Sequence, residues 1–216
     1  MLYINKNPIE PQLLVSNRQE NGVSCYDNLR TETKTAIRKS LLAEQGYLCA
    51  YCMKRISLQG ATIEHYDPQS AQNGTDMSYR NMLGVCDGGA KTDGRGNERL
   101  TCDKHRGDTS LTVDPLDRYT VDKIKYKRNG IIFSDDPDIN NDLDNTLNLN
   151  SRHSYLIANR KAVYEELVSA IKRNGGKSRS FLMHIKEKYE AFDENGKLIP
   201  YSGVALYYIN KWLKSY

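Results

Sequence analysis

Apolar residues in the stretch TETKTAIRKSLLAEQG recur at Ala36, Ile37, Leu41 and Leu42, and Gly46 stands where a helix usually ends, so the pattern predicts a helix over 31–46. The period is lost in CDGGAKTDGRGNERLTC, whose glycines and aspartates predict an exposed loop over 87–100. KIKYKRNGIIFS then alternates as two extended runs about Asn129-Gly130, a signal for a hairpin with a two-residue turn. Helical spacing returns at Leu156, Ile157, Val163, Leu167 and Ile171 and stops at a glycine pair. SRSFLMHIKEKYEAF and GVALYYINKWLKSY predict two more helices. Between hairpin and helices, residues 135–144 carry five aspartates and are expected to be an acidic linker.

Composition narrows the class. A chain of 216 residues can bury one sizeable core, and 38% hydrophobic with 27% charged residues is polar but short of the composition of disorder. No apolar run reaches the ~18 residues of a membrane span, and MLYINKNPIEPQ lacks the regions of a signal peptide, so a cytoplasmic protein without membrane contact is expected. The net charge of +4 permits nucleic-acid binding without demanding it. Residues 151–216 hold twelve Lys and Arg against six Asp and Glu, which suits solvated helix faces or a phosphate-facing surface. Tyr207, Tyr208 and Trp212 near the end suggest a surface for a partner protein, or a helical cap burying its own core.

Five cysteines in a reducing compartment argue for metal or thiol chemistry over disulfides. Cys49 and Cys52 form CAYC, a knuckle whose two-residue gap lets both sulfurs reach one ion, and no βαβ pattern supports a redox dithiol. Cys86 and Cys102 would complete a tetrahedral thiolate set, a structural zinc site with no open position; Cys25 is expected to be a buried, inert thiol. Any catalysis must then lie elsewhere. In ATIEHYDPQS, Glu64 and His65 are adjacent and cannot share one strand face, so one can bind a metal while the other faces a substrate.

The order CAYC, Glu64-His65, Asn81 in YRNMLGVC, and Cys102-Asp103 in CDKHRG resembles the HNH endonucleases over residues 45–107. LLAEQGYLCAYCMKRI, DPLDRYT and NTLNLNSRHSYLIANRKAVYEEL extend the similarity to the retron- and Septu-associated HNH proteins of the PtuB type. The resemblance implies an α+β protein. A zinc-stapled ββα-metal core would be joined by an N-terminal helix, a β-hairpin and a C-terminal helical region, with a nuclease region over 1–134 and a partner-binding region over 145–216. It implies His65 as general base, Glu64 as ligand of a catalytic Mg²⁺ or Mn²⁺, and Asn81 as the residue that holds the loop and orients the imidazole. Asp103 stands where the family has His or Asn, yet aspartate is a good hard-oxygen ligand, and His105 is an alternative one. The fifteen residues between Cys86 and Cys102 also depart from the usual knuckle of two.

The resemblance further implies anti-phage defence on nucleic acid, DNA first, beside a PtuA-type ATPase and, in retrons, a reverse transcriptase with its RNA–DNA product. Arg95, Arg99, Lys104 and Arg106 are candidates to position phosphates, solvent being the competing fate of such loop cations. A non-catalytic zinc module or an ATPase adaptor would need the cysteines or the helices, but not Glu64, His65 and Asn81.

Overall fold

The computed structural model describes residues 1–20, 22–71, 74–89 and 99–216. Arg95 and most of the loop expected over 87–100 lie outside them. The protein is mixed α+β, with two small two-stranded antiparallel sheets among helices.

After a short helix α1 (Gln12–Arg18), α2 (Thr31–Glu44) forms where the apolar period placed it. It serves two cores: Ile37 and Leu41 pack with Leu14, Tyr79 and Met82, while Leu42 joins the main cluster. The chain leaves α2 through Gly46 at φ 58°, where a side chain would overlap Leu198. Strands β1 (Ala61–His65) and β2 (Met82–Cys86) pair with Ala61 opposite Cys86 and His65 opposite Met82. Short helices α3 (Asp103–Arg106) and α4 (Arg118–Val121) lead to the hairpin β3 (Ile124–Tyr126) and β4 (Ile132–Ser134).

The hairpin turn differs from expectation. The Lys127 amide donates to the Ile131 carbonyl at 2.8 Å and Gly130 stands at φ 89°, which makes a three-residue loop with a bulge rather than a two-residue turn. The carbonyl of Ile157 comes so close that a Cβ at residue 130 would overlap it. Packing against the next long helix therefore sets the turn.

The acidic stretch is no tether. It folds as α5 (Pro137–Asn141) and a π-helical turn (Asp142–Thr146) that bury Ile139 and Leu143, while Asp142 Oδ2 accepts from the Val113 amide at 2.9 Å. The helices α6 (Leu156–Arg173), α7 (Arg179–Glu190) and α8 (Ser202–Leu213) follow as predicted. The segment before α8 docks on the cysteine knuckle, the Tyr201 amide donating to Met53 O at 3.1 Å and the Leu198 amide to Gly46 O at 3.1 Å. One hydrophobic cluster consequently runs from Met1 to Ile209. Among the described residues no helix is long and apolar enough to cross a membrane.

Candidate metal centre and acid-histidine site

Cys49 and Cys52 leave the turn after α2, Cys86 ends β2 and Cys102 precedes α3. Their sulfurs all lie within 4.8 Å of one another and all four residues are buried. The Cys49–Cys102 and Cys52–Cys86 sulfur pairs are 3.9 Å apart. Tetrahedral zinc with bonds of ~2.3 Å sets its sulfurs ~3.8 Å apart, so the spacing fits such an ion. The knuckle is closed by the Met53 amide donating to Cys49 O at 3.0 Å, with Met53 at φ 62°. Gln45 ties it to the sheet: its side-chain amide donates to Leu48 O and Gly84 O and accepts from the Gly84 amide.

Charge supports the fit. Arg160 is 1% exposed and donates to the carbonyls of Gly130 and Leu149 and to Asn150 Oδ1, with no carboxylate partner among the described residues. Burial lowers its pKa, and the charges of Tyr126 and Cys52 are the first to oppose that. A buried guanidinium beside the cluster suits the net negative charge of a metal held by four thiolates. Cys25 stands apart and is only half-buried, because it precedes the turn Tyr26–Asn28 and its thiol donates to Asn28 Oδ1 at 2.9 Å.

The adjacent pair on β1 divides as strand geometry requires. Glu64 and His65 are each 7% exposed, and their side chains take separate partners. Glu64 Oε1 accepts from the Tyr51 hydroxyl at 3.0 Å and from Arg106 Nη1. Tyr51 is the third residue of the CAYC knuckle, so the cysteine turn itself supports this carboxylate. Asp103, in the first turn of α3, lies near enough for its charge to act on the Glu64 carboxyl. Burial, then Asp103, push the Glu64 carboxyl up to about 8 and outweigh the opposing pull of Arg106.

His65 Nε2 lies 2.8 Å from the Asp76 carbonyl, while Tyr26 packs edge-on at 4.6 Å between ring centroids. A carbonyl only accepts, so Nε2 carries the hydrogen and Nδ1 keeps the lone pair. Burial lowers the His65 pKa below its ordinary 6.5, against the Asp76 hydrogen bond and nearby aspartates, which favours the neutral ring at pH 7. The Asn81 side chain makes its hydrogen bonds to the neighbouring loop, not to the imidazole. It accepts from the Asp67 amide at 2.7 Å and donates to Asp67 O and Thr75 O, clamping both ends of the loop that presents the Asp76 carbonyl.

His105 Nδ1 lies 3.0 Å from Thr146 O, so this ring is anchored on the π-helical turn. Among the described residues the four cysteines are the metal-ligating group of three or more that comes together, and Glu64, Asp103 and His105 do not form another. Lys104 pairs with Asp103 at 3.3 Å. Arg106 is neither solvated nor open to phosphate: it is 3% exposed and also donates to Tyr51, His65 O, Tyr66 O and Thr109 O. No motif marks Tyr51, Gln45 or the buried role of Arg106, because each depends on partners far along the chain. No protein-family model matches the chain, and no curated protein matches it.

Proposed function

We propose that this chain is a metal-dependent HNH endonuclease that hydrolyses nucleic-acid phosphodiester bonds, DNA in the first instance. The observation that supports this reading most directly is the buried Glu64 carboxyl, under the influence of Asp103 and next in the chain to a histidine whose Nδ1 keeps its lone pair. A Glu64 carboxyl pushed up to about 8 by burial and by Asp103 would gain from a cation, and the hard oxygens of the two acids suit Mg²⁺ or Mn²⁺. Such an ion supplies Lewis acidity at the scissile phosphate and the leaving oxygen. Tyr51 and Arg106 hold Glu64 through Oε1, which leaves its second oxygen to ligate. His65 takes the proton of the attacking water at Nδ1, and Asn81 holds the loop whose carbonyl fixes that tautomer. The buried cysteine set, carrying zinc, anchors β2, α3 and the Tyr51 turn around the site.

The family reading, a PtuB-type effector acting with an ATPase partner in anti-phage defence, rests on the sequence resemblance, as does any link to a retron reverse transcriptase and its RNA–DNA product. The test is incubation of the purified protein, with and without a co-expressed ATPase partner, with plasmid DNA and with RNA in Mg²⁺ or Mn²⁺. Nicked or linear product that disappears with His65→Ala is expected. Intact substrate under every condition would overturn the nuclease reading.

A further inference from the structure

The hairpin β3–β4 and the helices α6 and α8 enclose a cleft of about 250 Å³ that shares no lining residue with the cysteine cluster or the acid-histidine site. Tyr207 and Trp212 of α8 and Phe133 of β4 give it aromatic walls, and all three are half-buried. Tyr207 and Trp212 belong to a connected ring array, with Tyr126–Tyr207 and Tyr208–Trp212 centroids each 5.7 Å apart and Tyr207–Tyr208 joining them at 5.1 Å. Lys127, Arg128 and Lys211 supply an exposed cationic rim. No Asp or Glu lines the cleft, and none of these three cations has an ion-pair partner among the described residues. Lys177 adds another positive charge 5.0 Å from the Trp212 ring centroid.

Ordinary packing explains part of this. Tyr208 is buried and its hydroxyl donates to Tyr126 O at 2.8 Å, so the array also cements the hairpin to α8. Packing does not explain why the open side collects like charges without an acid, an arrangement that repels itself until an anion joins it. Aromatic faces beside Lys and Arg are the chemistry that holds an unpaired nucleotide, with the base against a ring and phosphates on the cations. An acidic protein segment would satisfy the cations and leave the rings unused. A duplex keeps its bases stacked on each other and could offer only phosphates.

We propose that this cleft binds an unpaired nucleotide of a single strand, its base against Tyr207 and Trp212 and the flanking phosphates on Lys127, Arg128 and Lys211. The proposal concerns binding and stands or falls apart from the nuclease reading. Trp212 is the sole tryptophan of the chain, so its fluorescence reports on the cleft directly. The full chain, without added divalent ion, is titrated with a short oligodeoxythymidine, a duplex of equal length, thymidine monophosphate and a polyglutamate peptide. Quenching by the oligomer is expected, with affinity at least tenfold above that for each other probe. Tyr207→Ala should weaken oligomer binding roughly tenfold. Joint reversal of the exposed Lys127, Arg128 and Lys211 to Glu, which disturbs no buried side chain, should abolish it. Reversing them singly should flatten its salt dependence by about 0.7 for each phosphate left without its cation. Absence of quenching, equal binding of any other probe, or indifference to the triple reversal would overturn the proposal.

Discussion

Cys102 and Asp103 are neighbours in the chain, yet each belongs to a site of a different kind. Cys102 completes a buried set of four like ligands whose spacing already suits a tetrahedral ion, and such a set offers no place for substrate. Asp103 instead acts on the Glu64 carboxyl and helps to raise it, and under the proposed function the two would share a cation with substrate. Tyr51 joins the two, since it sits inside the cysteine knuckle and donates to Glu64. A closed staple thus fixes backbone positions, and acids built on that backbone can be reserved for chemistry.

The comparison breaks most completely with Cys49→Ser. Loss of a structural zinc site forfeits on the order of 10 kcal/mol of folding free energy, so metal analysis should find well under half an equivalent of zinc and both sites should fail together in a thermal melt. Cys25→Ser, outside the cluster, should keep full zinc. His65→Ala should separate the sites: zinc content and melting stay at the parent values while the cutting rate falls by ~10²–10⁴-fold. Removal of the buried cation by Arg106→Met leaves Glu64 and Tyr51 without it, and should cost about 3 kcal/mol in denaturant unfolding with zinc retained.

Smaller effects sharpen the contrast. Glu64 has its carboxyl raised to about 8, so below that pH an ion must displace its proton, whereas above it the carboxylate is already bare. The Mg²⁺ concentration for half-maximal cutting should therefore rise, by up to about tenfold for each pH unit below 8, and level off above it. A requirement that falls on acidification would contradict the carboxylate pair. Tyr51→Phe, which removes one hydrogen bond to Glu64, should lower stability by about 1 kcal/mol and leave zinc content unchanged.

Local chemistry made several features legible in the sequence. The period of Ile37, Leu41 and Leu42 with the stop at Gly46 marked α2, and the glycine pair marked the end of α6, because helix termini are set by neighbouring residues. The CAYC spacing and two distant cysteines were enough to nominate a metal set, and adjacency alone placed Glu64 and His65 on opposite sides of a strand. Tertiary structure decided what those signals could not. Five aspartates read as a linker because charge favours water, yet the stretch carries Ile139 and Leu143 into the core and turns Asp142 onto backbone amides. Arg106 read as a loop cation and Arg160 as a helix-face cation, and long-range contacts buried both, the first on Glu64 and the second on the carbonyls of Gly130 and Leu149. The gathering of Lys127 and Arg128 with Tyr207 and Trp212 likewise depends on the hairpin crossing α8. Residue type and short spacing are written along the chain, whereas the partner of a buried charge is chosen only when distant segments close around it, because only then does loss of water make an unpaired charge costly.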